Sequence, residues 1–137
     1  MMTKPFELPV RVYYEDTDAQ GVVYYANYFR FMERARTEWL EVMGIDHITL
    51  MNEDNRILVI SEANAKFLRP ARLGDSLMVT ASLRQLGRAS FEIEQNIYRG
   101  STEGDLLIQG GVTAAYLEAN TMKPKRIPKA FFEENRS

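Results

Sequence analysis

The sequence contains no cysteine, which excludes disulfide stapling, thiolate catalysis and Cys-ligated zinc or iron–sulfur centres. It has one histidine, His47, and no His-x-x-x-His pair or EF-hand pattern. Asp16 and Asp18 would share a cation only without further ligands, so no metal is expected. There is no Walker glycine-lysine loop and no dinucleotide fingerprint, and no redox cofactor is expected. No apolar stretch approaches the roughly 20 residues needed to cross a bilayer. The opening Met1–Glu7 lacks the long apolar run of a signal peptide, so a cytoplasmic soluble protein is the default. Neither charge sign dominates: 17 Lys and Arg face 19 Asp and Glu, for a formal charge of -2. That balance argues against broad nucleic-acid binding, which needs a strong positive footprint.

What is present is a globular balance, 45% hydrophobic and 26% charged over 137 residues, which predicts one domain spanning 1–137. Val10-Arg11-Val12-Tyr13-Tyr14 reads as a strand begun by Pro9, with Val10, Val12 and Tyr14 on one face. The polar stretch Glu15–Gly21 breaks the period. Tyr28, Met32, Ala35, Trp39 and Val42 then form the stripe of a long helix over 27–43, broadened by Phe29, Phe31, Leu40 and Met43 and stopped at Gly44. The second half reads as four strands. Val59, Ser61, Ala63, Ala65 and Phe67 alternate, their small residues allowing close approach of a helix. Leu77–Leu83 follows, then Gly87 as a hairpin turn and a strand through Ala89, Phe91, Ile93 and Ile97 that Gln95 interrupts. The last strand, 106–118, carries Gly110-Gly111 as an expected bend or bulge. A proline-punctuated basic tail ends in an expected short helical turn at Phe131-Phe132. One strand, one long helix and four strands predict an α+β fold, an antiparallel sheet wrapped around a helix. Repeated crossover helices, as in a doubly wound fold, are missing.

The acidic loop is the first candidate for chemistry, because it joins a strand to the start of the long helix. Helix-terminal amides stabilise an anion or a polarised carbonyl oxygen, and a nearby carboxylate can activate water or attack an acyl carbon itself. Asp18, Asp16 and Glu15 all qualify, although spacing alone favours a solvated turn with helix-start charge. His47 reads as a turn residue near the helix end. A Ser-His-Asp hydrolase would have to use it, yet no Gly-x-Ser-x-Gly elbow occurs.

The run Val12-Tyr13-Tyr14-Glu15-Asp16-Thr17-Asp18-Ala19-Gln20-Gly21-Val22-Val23-Tyr24-Tyr25-Ala26-Asn27-Tyr28 resembles the opening motif of hotdog-fold acyl-CoA thioesterases. Its continuation Phe31–Leu40 is similar to the same family. So are Phe67-Leu68-Arg69-Pro70-Ala71-Arg72-Leu73-Gly74-Asp75 and Met122–Pro128. The chain looks most like the bacterial YbgC-type branch, related to 4-hydroxybenzoyl-CoA thioesterases. The resemblance implies a hotdog fold, with a five-stranded antiparallel sheet around a long central helix, and hydrolysis of acyl-CoA to a carboxylate and free CoA.

By the same resemblance Asp18 matches the catalytic aspartate, as general base or as nucleophile, and the Tyr25 backbone N–H matches the donor that polarises the thioester carbonyl. Gly21 lets the loop turn. Many close YbgC-type members carry histidine where Tyr25 stands. The backbone donor survives that change, whereas a tyrosine hydroxyl, ordinarily titrating near pH 10, is a poor general base at neutral pH. Tyr24, Tyr28 and Phe31 are candidates to line acyl space. Lys66, Arg69, Arg72, Arg84, Arg88, Lys123, Lys125 and Arg126 are candidates for the phosphates of CoA, which is substrate rather than cofactor. The family further implies a homodimer or homotetramer with sites at the subunit interface. It also implies an association with the Tol-Pal envelope system, peripheral to the inner membrane. A non-enzymatic acyl-CoA-binding protein and a thioesterase acting on acyl carrier protein are the alternatives.

Overall fold

The computed structural model describes residues 4–132. Along the chain lie β1 (Phe6–Arg11), α1 (Tyr25–Val42), the short α2 (His47–Thr49), β2 (Arg56–Phe67), β3 (Ser76–Leu86), β4 (Ser90–Arg99) and β5 (Leu106–Glu118). All strand pairings are antiparallel, in the order β1-β3-β4-β5-β2. Helix α1 packs across the inner face of β1, β3 and β4, which gives the expected α+β hotdog fold.

The two edge strands differ from their sequence reading. β1 begins at Phe6 and ends at Arg11, so Pro9 lies within it. Val12 exchanges backbone hydrogen bonds with Asp75 and Gly74, at 2.9 and 3.1 Å. By alternation Pro9 therefore turns its nitrogen toward the open edge, where a missing N–H costs no ladder bond. Tyr14, assigned to that strand from sequence, stands in a 3-10 turn at Tyr14–Asp16 and is exposed. In β2 a register shift between Ile60 and Glu62 opposite β5 marks Ser61 as a bulge. One extra residue inverts the phase. Leu58 and Ile60 therefore share the inner face with Ala63, Ala65 and Phe67, in place of Val59 and Ser61. The small residues of β2 are not covered by α1, which sits over the opposite half of the sheet.

The helix starts at Tyr25, two residues earlier than its pattern suggests, and buries Tyr28, Phe31, Met32, Ala35, Trp39 and Leu40. Val42 is 72% exposed. Gly44, at φ +85°, reverses the chain so that Ile45 donates to the Leu40 carbonyl at 2.8 Å and fills that end of the core. At the tail, Phe131 donates to the Pro128 carbonyl in a turn rather than a helix. Phe132 enters the core against Phe91 and Trp39, with ring centroids 4.7 and 5.7 Å away.

Gly110 and Gly111 lie in unbroken register, so the expected bend is absent there. Side chains at these positions would run into the carbonyls of Asn64 and Ile93, and glycine is what lets β2, β5 and β4 approach so closely. Gln95 is wholly buried on the inner face. Its amide donates to the Met32 carbonyl of α1 at 2.8 Å, and its oxygen accepts from Arg36 at 3.4 Å. The polar residue that interrupts β4 thus straps helix to sheet and is satisfied, as burial requires. Partial burial lowers the Arg36 pKa from its ordinary value, an effect the nearby Glu33 charge opposes.

Candidate active site

Two loops interlock at the start of α1. Val23 donates to the Ala71 carbonyl at 2.8 Å, Leu73 to Gly21 at 3.0 Å, and Gly74 to Val12 at 3.1 Å. The buried Tyr28 hydroxyl accepts from the Ala71 N–H at 2.9 Å. The second loop is braced from below. Asp75 accepts from the Arg72 N–H at 2.9 Å and from Arg99 at 3.3 Å, and Arg99 also donates to the Pro70 carbonyl at 2.8 Å. The segment Phe67–Asp75 is therefore a fixed platform for the acidic loop.

Within the acidic loop the three carboxylates have different fates. Asp16 is buried, 5% exposed. Its carboxylate accepts from the Tyr13 N–H at 2.9 Å, and its backbone carbonyl accepts from the Tyr24 N–H at 3.0 Å. It is an anchor. Asp18 is exposed in a tight turn, with one carboxylate oxygen accepting from the Gln20 N–H at 2.8 Å. Gly21 closes that turn at φ +78°, a conformation that favours glycine. Glu15 is exposed and faces a separate groove between β1 and α1. Among the described residues the second Asp18 carboxylate oxygen accepts no hydrogen bond, and the turn that carries it precedes α1.

Tyr25 is the first residue of α1, so the helix itself supplies no acceptor for its N–H. No side chain caps this end, which leaves the partial positive charge of the helix terminus open. The Tyr24 and Tyr25 rings lie 4.7 Å apart, and the neighbouring Tyr25 hydroxyl raises the Tyr24 pKa above its ordinary value. Tyr28 is raised as well, chiefly by burial, with the Ala71 N–H pulling the other way. Both tyrosines are neutral at physiological pH. A hollow of about 240 Å³ opens beside Tyr25, lined by Val23, Tyr28, Phe67, Leu68, Arg69 and Pro70.

The other sequence candidates divide by location. Arg69 lines this hollow; Arg72 does not, and stands in a bridge with Val22. Phe31 is 1% exposed in the core behind Tyr28. Lys66 and Arg84 flank a hollow with Gln109 on the outer face of the sheet, where Arg84 pairs with Glu94 at 3.3 Å. Arg88 lies at the β3–β4 hairpin with Arg126 and Lys129 around a space of about 500 Å³. Among the described residues no carboxylate pairs with any of these three. Lys129 escaped the sequence reading because nothing in it signals that the tail returns to the hairpin. The sequence places Phe67 in a strand and in a family-like motif but not at the site, although its ring meets those of Tyr25 and Tyr28 at 6.3 and 5.8 Å. Among the described residues, no three acidic or histidine side chains converge on a metal position.

A family model described as the thioesterase superfamily matches residues 20–104. The chain belongs to the thioesterase superfamily. Within that superfamily it is a hotdog-fold CoA-thioester hydrolase of the YbgC-type branch, as its relatives show. It is 38% identical over 129 residues to the acyl-CoA thioesterase YbgC of Haemophilus influenzae, covering 94% of this chain and 93% of that one. It is 38% identical over 134 residues to the acyl-CoA thioester hydrolase YbgC of Escherichia coli, covering 98% of both. Among solved structures, a probable thioesterase from Bartonella henselae superposes with a TM-score of 0.83 at 31% identity, covering 91% of this chain and all of that one. A 1,4-dihydroxy-2-naphthoyl-CoA thioesterase from Synechocystis superposes at 0.84 with 23% identity, over 93% of this chain and 92% of its own; at that identity it speaks for the fold. The stretch this superfamily model covers begins just after Asp18.

Proposed function

We propose that this thioesterase uses Asp18 to bring water, or its own carboxylate, onto an acyl-CoA carbonyl carbon while the Tyr25 N–H takes up charge on the carbonyl oxygen. The observation that carries the reading is the Asp16 carbonyl bound to the Tyr24 N–H at 3.0 Å, which ties the Asp18 turn to the open end of α1. As general base, Asp18 accepts a proton from water as the water oxygen bonds to the acyl carbon. The C–S bond then breaks and the leaving thiolate is protonated, giving carboxylic acid and free CoA. As nucleophile, it displaces the CoA thiolate, which leaves protonated, and forms a mixed anhydride that water opens to the carboxylic acid and regenerated Asp18. In either case oxygen charge develops where a helix-terminal amide stabilises it. The Tyr25 side chain needs no role in proton transfer, so the replacement of histidine at this position leaves the scheme intact.

The acyl group would enter the apolar hollow beside Tyr25 and Phe67. The phosphates of CoA fit Arg88, Arg126 and Lys129, three cations sharing one hollow without a carboxylate partner among the described residues. A second copy would cover the open edge of β2 and the exposed apolar residues near it, Ile60, Phe67 and Leu68, completing the site as a homodimer. Cytoplasmic placement rests on the sequence pattern and contact with Tol-Pal components on the family resemblance, with acyl carrier protein as the alternative substrate carrier.

The test is thiol release from short, long and aromatic acyl-CoAs by the native protein beside Asp18→Asn. Loss of a positioned acid–base group lowers kcat by about 10²–10⁴-fold, with the fold and binding of a non-hydrolysable analogue retained. Undiminished turnover by Asp18→Asn removes the assignment. Analogue binding without release by the native protein would favour the non-enzymatic binder.

A further inference from the structure

We infer that Asn27 is a positioning residue for the hydrolytic step, acting through the Asp16 carbonyl; the inference rests on the Asp18–Tyr25 reading above. The side-chain amide of Asn27 donates to the Asp16 carbonyl at 2.9 Å. That same oxygen accepts from the Tyr24 N–H at 3.0 Å. One carbonyl, two residues before Asp18, is therefore pinned both to the residue preceding Tyr25 and to the first turn of α1. The amide is held from its other end as well, because Arg30 donates to its oxygen at 3.2 Å. Its own N–H donates to the Tyr24 carbonyl at 2.8 Å. Asn27 thus bridges the acidic turn and the helix start at the point where their separation fixes the distance from the Asp18 carboxylate to the Tyr25 N–H.

The helix alone does not require asparagine here. Asparagine and aspartate have similar, mediocre helix propensities. In the first turn a carboxylate interacts favourably with the helix dipole, and it would face Arg30 at i+3. An aspartate at this position would therefore serve the helix at least as well. What the carboxylate lacks is the N–H that reaches the Asp16 carbonyl. Without that bond the oxygen retains one backbone donor, and the acidic turn loses its side-chain tie to α1, keeping the Asp18 N–H on the Val22 carbonyl at 2.9 Å and the Thr17–Val23 bridge.

The test pairs Asn27→Asp with the uncharged Asn27→Ala, each alone and combined with Asp18→Asn. Kcat, KM and thermal midpoint are measured for all of them with an acyl-CoA that the native protein hydrolyses. A misplacement of about 1 Å costs on the order of 10²-fold in rate, so both single variants should lose about 10–100-fold in kcat with KM within about twofold. Kcat is compared at a temperature where circular dichroism shows each variant fully folded, which separates positioning from folding whatever the lost Asp16 bond costs in thermal midpoint. In the Asp18→Asn background the Asn27 changes should cost no more than about twofold further, because residues acting through one another are not additive. Native-like kcat in Asn27→Asp, or losses that multiply with Asp18→Asn, would overturn the inference while leaving Asp18 in place. Full activity of Asp18→Asn would instead remove the reading beneath it, and the inference with it.

Discussion

Replacing Tyr28 with phenylalanine deletes one oxygen and leaves the packing of the ring unchanged. In the native fold that oxygen accepts from the Ala71 N–H at 2.9 Å, and the two residues are 3% and 0% exposed. The variant therefore strands a backbone donor where water has no ready access. Leaving a buried polar group unpaired costs about 1–3 kcal/mol, which for a chain of this length lowers the thermal midpoint by about 3–10 °C. Urea unfolding followed at fixed protein concentration should show a lower midpoint with unchanged slope. The alkaline limb gives a second readout. Tyr28 titrates above its ordinary value of 10.0 when folded, so the folded state holds this proton more tightly than the unfolded chain. Its contribution is fully present below pH 10 and is lost as pH rises through the folded value. Between those two values Tyr28→Phe should show a shallower loss of stability than the native protein. A variant within about 0.5 kcal/mol of native at pH 7, the range of ordinary surface changes, would mean that Ala71 finds another partner and that the hydroxyl does not hold the platform.

Two further outcomes follow from the packing and charge. Phe132→Ala removes a ring wedged between Trp39 and Phe91 and should cost about 3–5 kcal/mol in chemical denaturation. A loss below about 1 kcal/mol would show the tail to be dispensable to the core. Combining Arg88→Ala with Arg126→Ala should raise KM for acyl-CoA about tenfold or more, since charge-assisted hydrogen bonds are each worth about 1.5–3 kcal/mol. KM for a truncated thioester without the nucleotide should be unchanged. Equal effects on both substrates would move the phosphates away from this cluster.

The order of elements, the long helix and the acidic loop were legible because each leaves a periodicity or its interruption. Phase was not. Ser61 is an ordinary small residue in a strand pattern, and only pairing with β5 reveals that it is the extra one. Val42 satisfies the helical stripe yet is exposed, because Gly44 turns the chain and brings Ile45 back instead. Gln95 looked like a flaw in an apolar face until the helix carbonyl it binds was in view. At the site, the motif singles out Asp18 and Tyr25, which stand in the exposed turn and at the first position of α1. The distinction between Asp16 and Asp18 depended on burial, which sequence spacing does not encode. The basic hollow required the tail to return to the hairpin, where Ile127 donates to the Arg88 carbonyl at 2.8 Å. The phosphate candidates Lys66 and Arg84 carry the same charge but stand on the far side of the sheet.

The sheet's two edges are chemically unequal. At β1, Pro9 offers an incoming strand no donor on the open side; at β2 the ladder ends with its N–H and C=O groups unopposed by any described strand. Joining two copies through β2 would leave a β1 at each outer end, so the ten strands would terminate in proline-bearing edges. Under the proposed pairing, the edge that offers fewer donors is the one left outermost.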